Sequence, residues 1–402
     1  MLGAALVVAV VALVVSGVRS PASGEQAEPR PAARTVQPRD VQAALDGATE
    51  ALLARDRAAW DAALPASGDA RRGVAALYGH LARLPWTSLR LVAEPVRGRP
   101  GRFYVGAVGE VGGADPADRI VARRVFDAGL RGGRLVLLDD VTPAVLRHQQ
   151  VMAFDRPVAV RRNGLVVIAD KREQAGAEAL ADAGGPARER LALLGIKVRE
   201  PVVVYYYASR RQLLRSLGED PGEKRIRFFS HAPTRMSDDP TWTRDIGVLG
   251  PALDGKESWA PRMLAHELTH AYTSSWFAAA RRAPTLLAEG LATAVEGGRD
   301  FQPLRDDLDA AESAYPLEKA LRARSLWRGN QIDKVRLAYL EGASLVLYVL
   351  DRWGLDSLKE FVGAVSDSDL TRKCLDAAAR DSLRVSWQEL RSGWTEFVQT
   401  LP

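Results

Sequence analysis

Cysteine is almost absent: Cys374 is the single one in 402 residues. No intramolecular disulfide can form, and no thiolate zinc cluster can be built. Set in a helical apolar pattern, Cys374 is expected as a small buried hydrophobe. Histidine is also scarce, with five residues: His80, His148, His231, His266 and His270. Lys and Arg exceed Asp and Glu by five (55 against 50), yet no block of five or six like charges occurs. That pattern predicts a soluble, mixed surface, and nucleic acid is not an expected partner. Basic doublets such as Arg161-Arg162 and Arg281-Arg282 read as solvated faces. A Gly-x-Ser-x-Gly nucleophile elbow is missing, which removes one hydrolase signature. The nearest phosphate-loop spacing, Gly250-Pro-Ala-Leu-Asp-Gly-Lys256, ends in Glu257 where Ser or Thr should bind magnesium. Asp254 and Glu257 there would repel phosphate. No repeat of fixed period is found.

What is present begins with an apolar N-terminus. Residues 1–18 carry no charged side chain. As a helix, about 18 residues span roughly 27 Å, close to the hydrocarbon thickness of a bilayer. A transmembrane signal anchor is the expectation, with a cleaved signal ending near Ser20-Pro21-Ala22 as the alternative. The expected placement is a single pass in the cell membrane with the catalytic part outside the cytoplasm; secretion after cleavage is the other outcome. Residues 19–38, with Pro21, Pro29, Pro31 and Pro38, read as a Pro-rich linker.

The rest has enough length and apolar content, 47%, for two or three folded units. In residues 39–147, Asp40 reads as an N-cap followed by Val41, Ala44, Leu45, Ala48 and Leu52 at helical spacing. A second helix is expected from Gly73 to Leu84. Strands follow over Ser88–Val96, Arg102–Val111, Ile120–Leu130 and Arg134–Val141, with Gly132-Gly133 as a hairpin signal. Helices and then an antiparallel meander predict an α+β unit. This element order resembles the NTF2-like fold, a cone of curved sheet and helices. The resemblance implies that His80, Trp86 and Tyr104 line a ligand cavity; core aromatics and a surface His are the plainer reading. A second unit, 148–402, starts near His148. Leu165–Ala169, Pro201–Tyr207 and Ile246–Leu249 read as strands and Gln174 to Leu194 as a helix. Beyond Glu257 the pattern is almost wholly helical, which predicts a mainly helical domain with a small sheet.

The chemistry sits in His266-Glu-Leu-Thr-His270. Pro261 fits the first turn of a helix there, with Ser258 as a nearby cap. Positions i and i+4 lie on one helix face, so both imidazoles can point at one metal ion. Glu267 is one residue on, beside the metal, where a general base takes a proton from water. A catalytic zinc usually takes three protein ligands. Downstream, Thr285 to Gly297-Gly298 reads as a further helix carrying Glu289 in its middle, eighteen residues (271–288) beyond His270. A hard carboxylate with two imidazoles suits Zn2+.

The pair His266-Glu-Leu-Thr-His270 and Leu286-Leu-Ala-Glu-Gly-Leu-Ala292 resembles the signature of the gluzincin zinc metallopeptidases, the thermolysin-like and aminopeptidase N-like enzymes. The similarity extends over Ala338-Tyr-Leu-Glu-Gly-Ala-Ser-Leu-Val-Leu-Tyr348, Trp353-Gly354 and the ending Trp387 to Phe397, a layout shared with peptidase-MA-like proteins. It implies a zincin-type catalytic domain over roughly 150–402. His266, His270 and Glu289 are then the zinc ligands, Glu267 is the base, and a peptide or protein is the substrate. It also makes Tyr339 the first candidate for the oxyanion donor, ahead of Tyr348 and Tyr315. Two departures stand out. Many relatives place an acidic residue four after the third ligand, where this chain has Thr293; Glu296, on the same helix face, can substitute. No Gly-x-Met-Glu-Asn-like exopeptidase motif occurs, so an endopeptidase is the expectation. The alternative is a catalytically weak or inactive zinc-binding recognition module. Ile246–Leu249 is a candidate edge strand for pairing with an extended peptide, an internal strand being the other reading.

Overall fold

The computed structural model describes residues 36–114, 120–143, 150–198, 201–216, 228–231, 245–253, 259–277, 285–297, 300–309, 332–366 and 368–401, with Leu317 and Leu321. The apolar segment 1–18, nearly all of the 19–38 linker and the boundary expected near His148 lie outside them. Among the described residues no helix is long and apolar enough to cross a membrane. The architecture is α+β, with a four-stranded and a five-stranded sheet.

Three helices come first: α1 (Pro38–Leu53), α2 (Arg57–Ala63) and α3 (Gly68–Leu81). The N-cap of α1 is Gln37, not the expected Asp40. Pro38 occupies the first turn, where a missing N–H costs nothing, and Asp40 closes a capping box by accepting from Gln37 N at 3.3 Å. The third helix starts five residues before the expected Gly73, because the polar stretch Asp69–Arg72 hides its first turn. Strands β1 (Trp86–Pro95), β2 (Arg102–Val111), β3 (Ile120–Arg131) and β4 (Arg134–Asp140) pair antiparallel in chain order. Gly132 and Gly133, at φ 58° and 80°, make the tight turn between β3 and β4. Trp60, Leu77, Leu81, Leu91 and Phe126 are fully or almost fully buried between these helices and the sheet.

The second sheet is mixed. Its order is β5-β6-β7-β9-β8, from β5 (Pro157–Arg162), β6 (Leu165–Asp170), β7 (Val202–Tyr207), β8 (Phe228–His231) and β9 (Asp245–Leu249). Strands β5 and β6 form a hairpin across Asn163-Gly164, both at positive φ. Helix α4 (Gln174–Leu193) makes the crossover to parallel β7, which pairs in parallel with β9. A short α5 (Arg210–Ser216) precedes β8.

Every residue of β6 and β7 is buried, and their two faces serve different cores. Leu165, Val167, Val202, Val204 and Tyr206 pack with the helices that follow. Val166, Ile168, Val203, Tyr205 and Tyr207 pack with the first unit. Phe154, in the connection between the units, stacks on Tyr205 and Tyr207 at 6.3 and 5.5 Å. A sheet covered on both sides gives continuous apolar strands rather than alternating ones.

Among the described residues that follow, the elements are mainly helices: α6 (Ala260–Thr273), α7 (Thr285–Glu296), α8 (Gln302–Asp309), α9 (Ile332–Ser366), α10 (Arg372–Leu383) and α11 (Trp387–Val398). Helix α9 is two arms joined at Gly354, whose φ of 80° and ψ of −179° no helix tolerates. Cys374, on α10, is half-buried and not the core hydrophobe expected.

Candidate metal centre

Helix α6 carries the first two site residues. Trp259 is its N-cap and Pro261 its first turn; Ser258 lies outside the described residues. Leu264, Ala265, Leu268 and Ala271 bury one face in the core shared with α4 and α7. The Thr269 and Thr273 hydroxyls donate back to the carbonyls of Ala265 and Thr269, so neither is left unpaired in the interior. That anchoring leaves His266 and His270 on the side facing α7, their rings edge to face at 5.0 Å and 77°.

Glu289 arrives from α7. His266 Nε2 and His270 Nε2 are 3.3 Å apart, and Glu289 Oε2 lies 3.3 Å from the first and 3.5 Å from the second. These three atoms form a nearly equilateral triangle. A tetrahedral ion with bonds of about 2.0–2.1 Å requires neighbouring ligand atoms about 3.3–3.4 Å apart. Calcium, with bonds of about 2.3–2.6 Å and six to eight oxygens, fits neither the spacing nor the nitrogen donors. The donor set and its spacing therefore suit a small, borderline-soft metal ion.

The charges are consistent with such a site. Burial alone would lower the pKa of His266. The Glu289 and Glu296 carboxylates, with the charge of Glu267, outweigh it and raise the pKa to about 10. Burial would likewise raise the Glu289 pKa, but His270 and His266 hold it well below the usual carboxylate range.

The other expected residues divide. Glu267 is buried beside His266, at 6% exposure. Tyr339, on α9, places its ring 6.2 Å from that of His266 at 28°. Tyr348 is turned away, packed on Trp353, Phe397 and the backbone of Gly393. Tyr315 lies outside the described residues. Thr293 is fully buried, and its hydroxyl has no hydrogen-bond partner among the described residues. Glu296 Oε2 is 3.4 Å from His266 Nδ1.

Two functional readings that stood beside plainer ones find little support. Ile246–Leu249 falls within β9, which is internal, between β7 and β8. Among the described residues the outermost strands are β5 and β8, and β8 lies against α6; four residues are too short a run to read as a strand from sequence. Of the three residues that the NTF2-like resemblance would place in a cone cavity, His80 alone borders the cavity of about 630 Å³ between the two units. Trp86 donates to the Leu81 carbonyl, and Tyr104 lies under Arg123.

Two arginines escaped the sequence reading. Arg190 of α4 donates to the Glu296 carbonyl at 2.9 Å, and Arg262 of α6 donates to the Gly297 carbonyl. Together they cap the C-terminus of α7, whose last carbonyls lack helical partners. A basic residue one turn before His266 was the available signal. No protein-family model matches the chain, and no curated protein matches it.

Proposed function

We propose that the chain is a zinc-dependent endopeptidase of the gluzincin type. The observation that supports this most is the triangle of His266 Nε2, His270 Nε2 and Glu289 Oε2, with edges of 3.3, 3.3 and 3.5 Å. On this reading residues 148–402 form a zincin-type domain and the first unit is an NTF2-like accessory domain. Residues 1–18 tether the protein in the cell membrane or direct its export.

Zinc, when bound, supplies a Lewis acid that polarises the substrate carbonyl and acidifies a water. The chain's own residues do the rest. His266, His270 and Glu289 hold the ion. Glu267, buried beside them, accepts the proton of the attacking water and delivers it to the leaving amine as the C–N bond breaks. The Tyr339 hydroxyl donates to the oxygen on which negative charge develops. The backbone of β8 offers an edge on which an extended peptide can pair, next to the helix that carries the base.

The test compares wild type with Glu267→Gln for zinc content and for hydrolysis of a broad peptide library. Glu267→Gln should keep the zinc and lose about 10²–10⁴ in rate. A wild type that binds zinc and cleaves nothing would instead be a zinc-bearing recognition module. Equal rates for the two proteins would assign the chemistry to another residue.

A further inference from the structure

We propose that Glu296 is the carboxylate that orients His266 for metal binding, a positioning role taken seven residues beyond Glu289 and not four. The inference rests on the metal-centre reading above. The Nε2 of His266 faces Glu289 and His270, so it is the nitrogen that would meet the ion. An imidazole that gives one nitrogen to a metal carries its proton on the other, and that N–H needs an acceptor. His266 Nδ1 is buried and makes no formed hydrogen bond among the described residues. Glu296 Oε2, at 3.4 Å, is within ion-pair reach of it. The gap is roughly half an ångström longer than a charge-assisted hydrogen bond. Thr293, the residue four beyond Glu289, has no hydrogen-bond partner for its hydroxyl among the described residues and does not supply the acceptor.

Helix geometry explains how one helix can serve both sides of one ring. Seven residues are close to two turns, so Glu289 and Glu296 lie on one stripe of α7, about 10 Å apart along its axis. The imidazole of His266 is held between them, Nε2 at 3.3 Å from Glu289 and Nδ1 at 3.4 Å from Glu296. The backbone fixes the far end of the stripe. Arg190 holds the Glu296 carbonyl at 2.9 Å, and the Gly297 N–H returns to the Thr293 carbonyl at 3.1 Å. Arg262, one turn before His266 on the same helix, holds the Gly297 carbonyl. The helix that carries the ligand thus grips the end of the helix that carries its partner. Glu296 is 3% exposed, and a carboxylate is not buried at low cost without a cation or donor to face.

The experiment measures zinc affinity of full-length wild type, Glu296→Gln and Glu296→Ala by competition with a chromophoric chelator. The visible spectrum of each cobalt-substituted protein and the melting temperature of each metal-free one are recorded beside it. Both substitutions should weaken zinc binding about 10- to 100-fold. Glu296→Gln, which keeps the shape, should also shift the cobalt bands while its metal-free melting temperature stays within about 2 °C of wild type. Zinc affinity of Glu296→Gln within about threefold of wild type would overturn the assignment and leave the metal centre standing. So would weakened binding accompanied by a collapse of the metal-free fold, which is the mark of a structural residue. A wild type that takes up no zinc would overturn both readings.

Discussion

Gly290 and Gly342 meet backbone to backbone where α7 crosses α9. A Cβ on Gly290 would lie 2.6 Å from the Gly342 Cα, and one on Gly342 would lie 2.9 Å from the Gly290 Cα. Each glycine directly follows a glutamate, Glu289 and Glu341. The crossing therefore sets how far the third ligand stands from the helix that carries Tyr339, which is three residues before Gly342 on the same side. Small residues here are a condition of the site's geometry.

Gly290→Ala tests that condition. Alanine in a helix interior is normally worth about 0.8–1.0 kcal/mol over glycine. Overpacking costs about 1–3 kcal/mol, and here the new methyl meets backbone, which has no rotamer to turn. The clash should win, giving a net loss of up to about 2 kcal/mol and a parallel fall in zinc affinity as Glu289 is displaced. Gly363→Ala, on the far arm of α9, is the contrast: nothing among the described residues lies within 4 Å of its Cβ position. It should be neutral or stabilise by up to about 1 kcal/mol. Denaturant unfolding of the two variants reads both signs, and equal stabilities would mean the crossing has room to spare.

The crossing also shows where the sequence stops being legible. His266, His270 and Glu289 could be placed because local helix spacing determines which side chains share a face. Glu296 was readable for the same reason. The Gly290–Gly342 contact needs two helices about fifty residues apart in sequence to meet, and no local pattern encodes that. A glycine inside each helix was the trace it left. Strand order is non-local in the same way: nothing in Ile246–Leu249 says that Phe228–His231 covers its edge. The two-sided burial of β6 and β7 did leave a signal, unbroken apolar runs at 165–169 and 202–207, but not the identity of the two cores. The hairpin between β5 and β6 had a local signal, Asn163-Gly164 between the two strands.

Asp140 is expected to stabilise the first unit from within. Its Oδ2 accepts from Arg124 Nη1 at 2.5 Å, and both side chains are about nine-tenths buried, at 10% and 11% exposure. Its Oδ1 accepts from the Thr142 N–H at 3.1 Å and from the Thr142 hydroxyl, and that hydroxyl accepts from Val125 N. Asp140→Ala leaves the guanidinium buried beside the cavity between the units without its counter-charge. Breaking one half of such a pair costs about 3–5 kcal/mol. Thermal unfolding should show the loss, and a change under about 1 kcal/mol would show that water reaches Arg124.

Tyr339→Phe separates chemistry from packing. The ring stacks beside His266 at 6.2 Å, and phenylalanine preserves that contact while removing the hydroxyl. If the hydroxyl donates to the oxyanion, kcat should fall about 10- to 100-fold, less than in Glu267→Gln, because the metal still polarises the carbonyl. KM and zinc affinity should hold. A change confined to KM, or none, would make Tyr339 a wall of the site.

The metal-free protein should reveal the site through the pH dependence of its stability. His266 has its pKa raised to about 10 in the fold, because Glu289, Glu296 and Glu267 outweigh its burial. A raised pKa means the folded state holds the proton more tightly than the unfolded chain. The resulting stability is fully present below the ordinary value of 6.5 and is lost as pH rises toward 10. Glu289 is depressed, so its contribution is present above its ordinary value of 4.5 and is lost as pH falls below it. The two shifts share the His266–Glu289 pair and are not added. In chelator, this contribution should be greatest between 4.5 and 6.5 and decline above that window. Glu289→Gln removes the first of the three carboxylates that hold the proton and should lessen the alkaline decline. Zinc has the opposite sign, since its binding must expel the His266 proton and so strengthens as pH rises. Melting curves from pH 4 to 10, with chelator and with saturating zinc, should therefore diverge progressively on the alkaline side. Parallel curves would mean that the ion and the proton do not compete for His266.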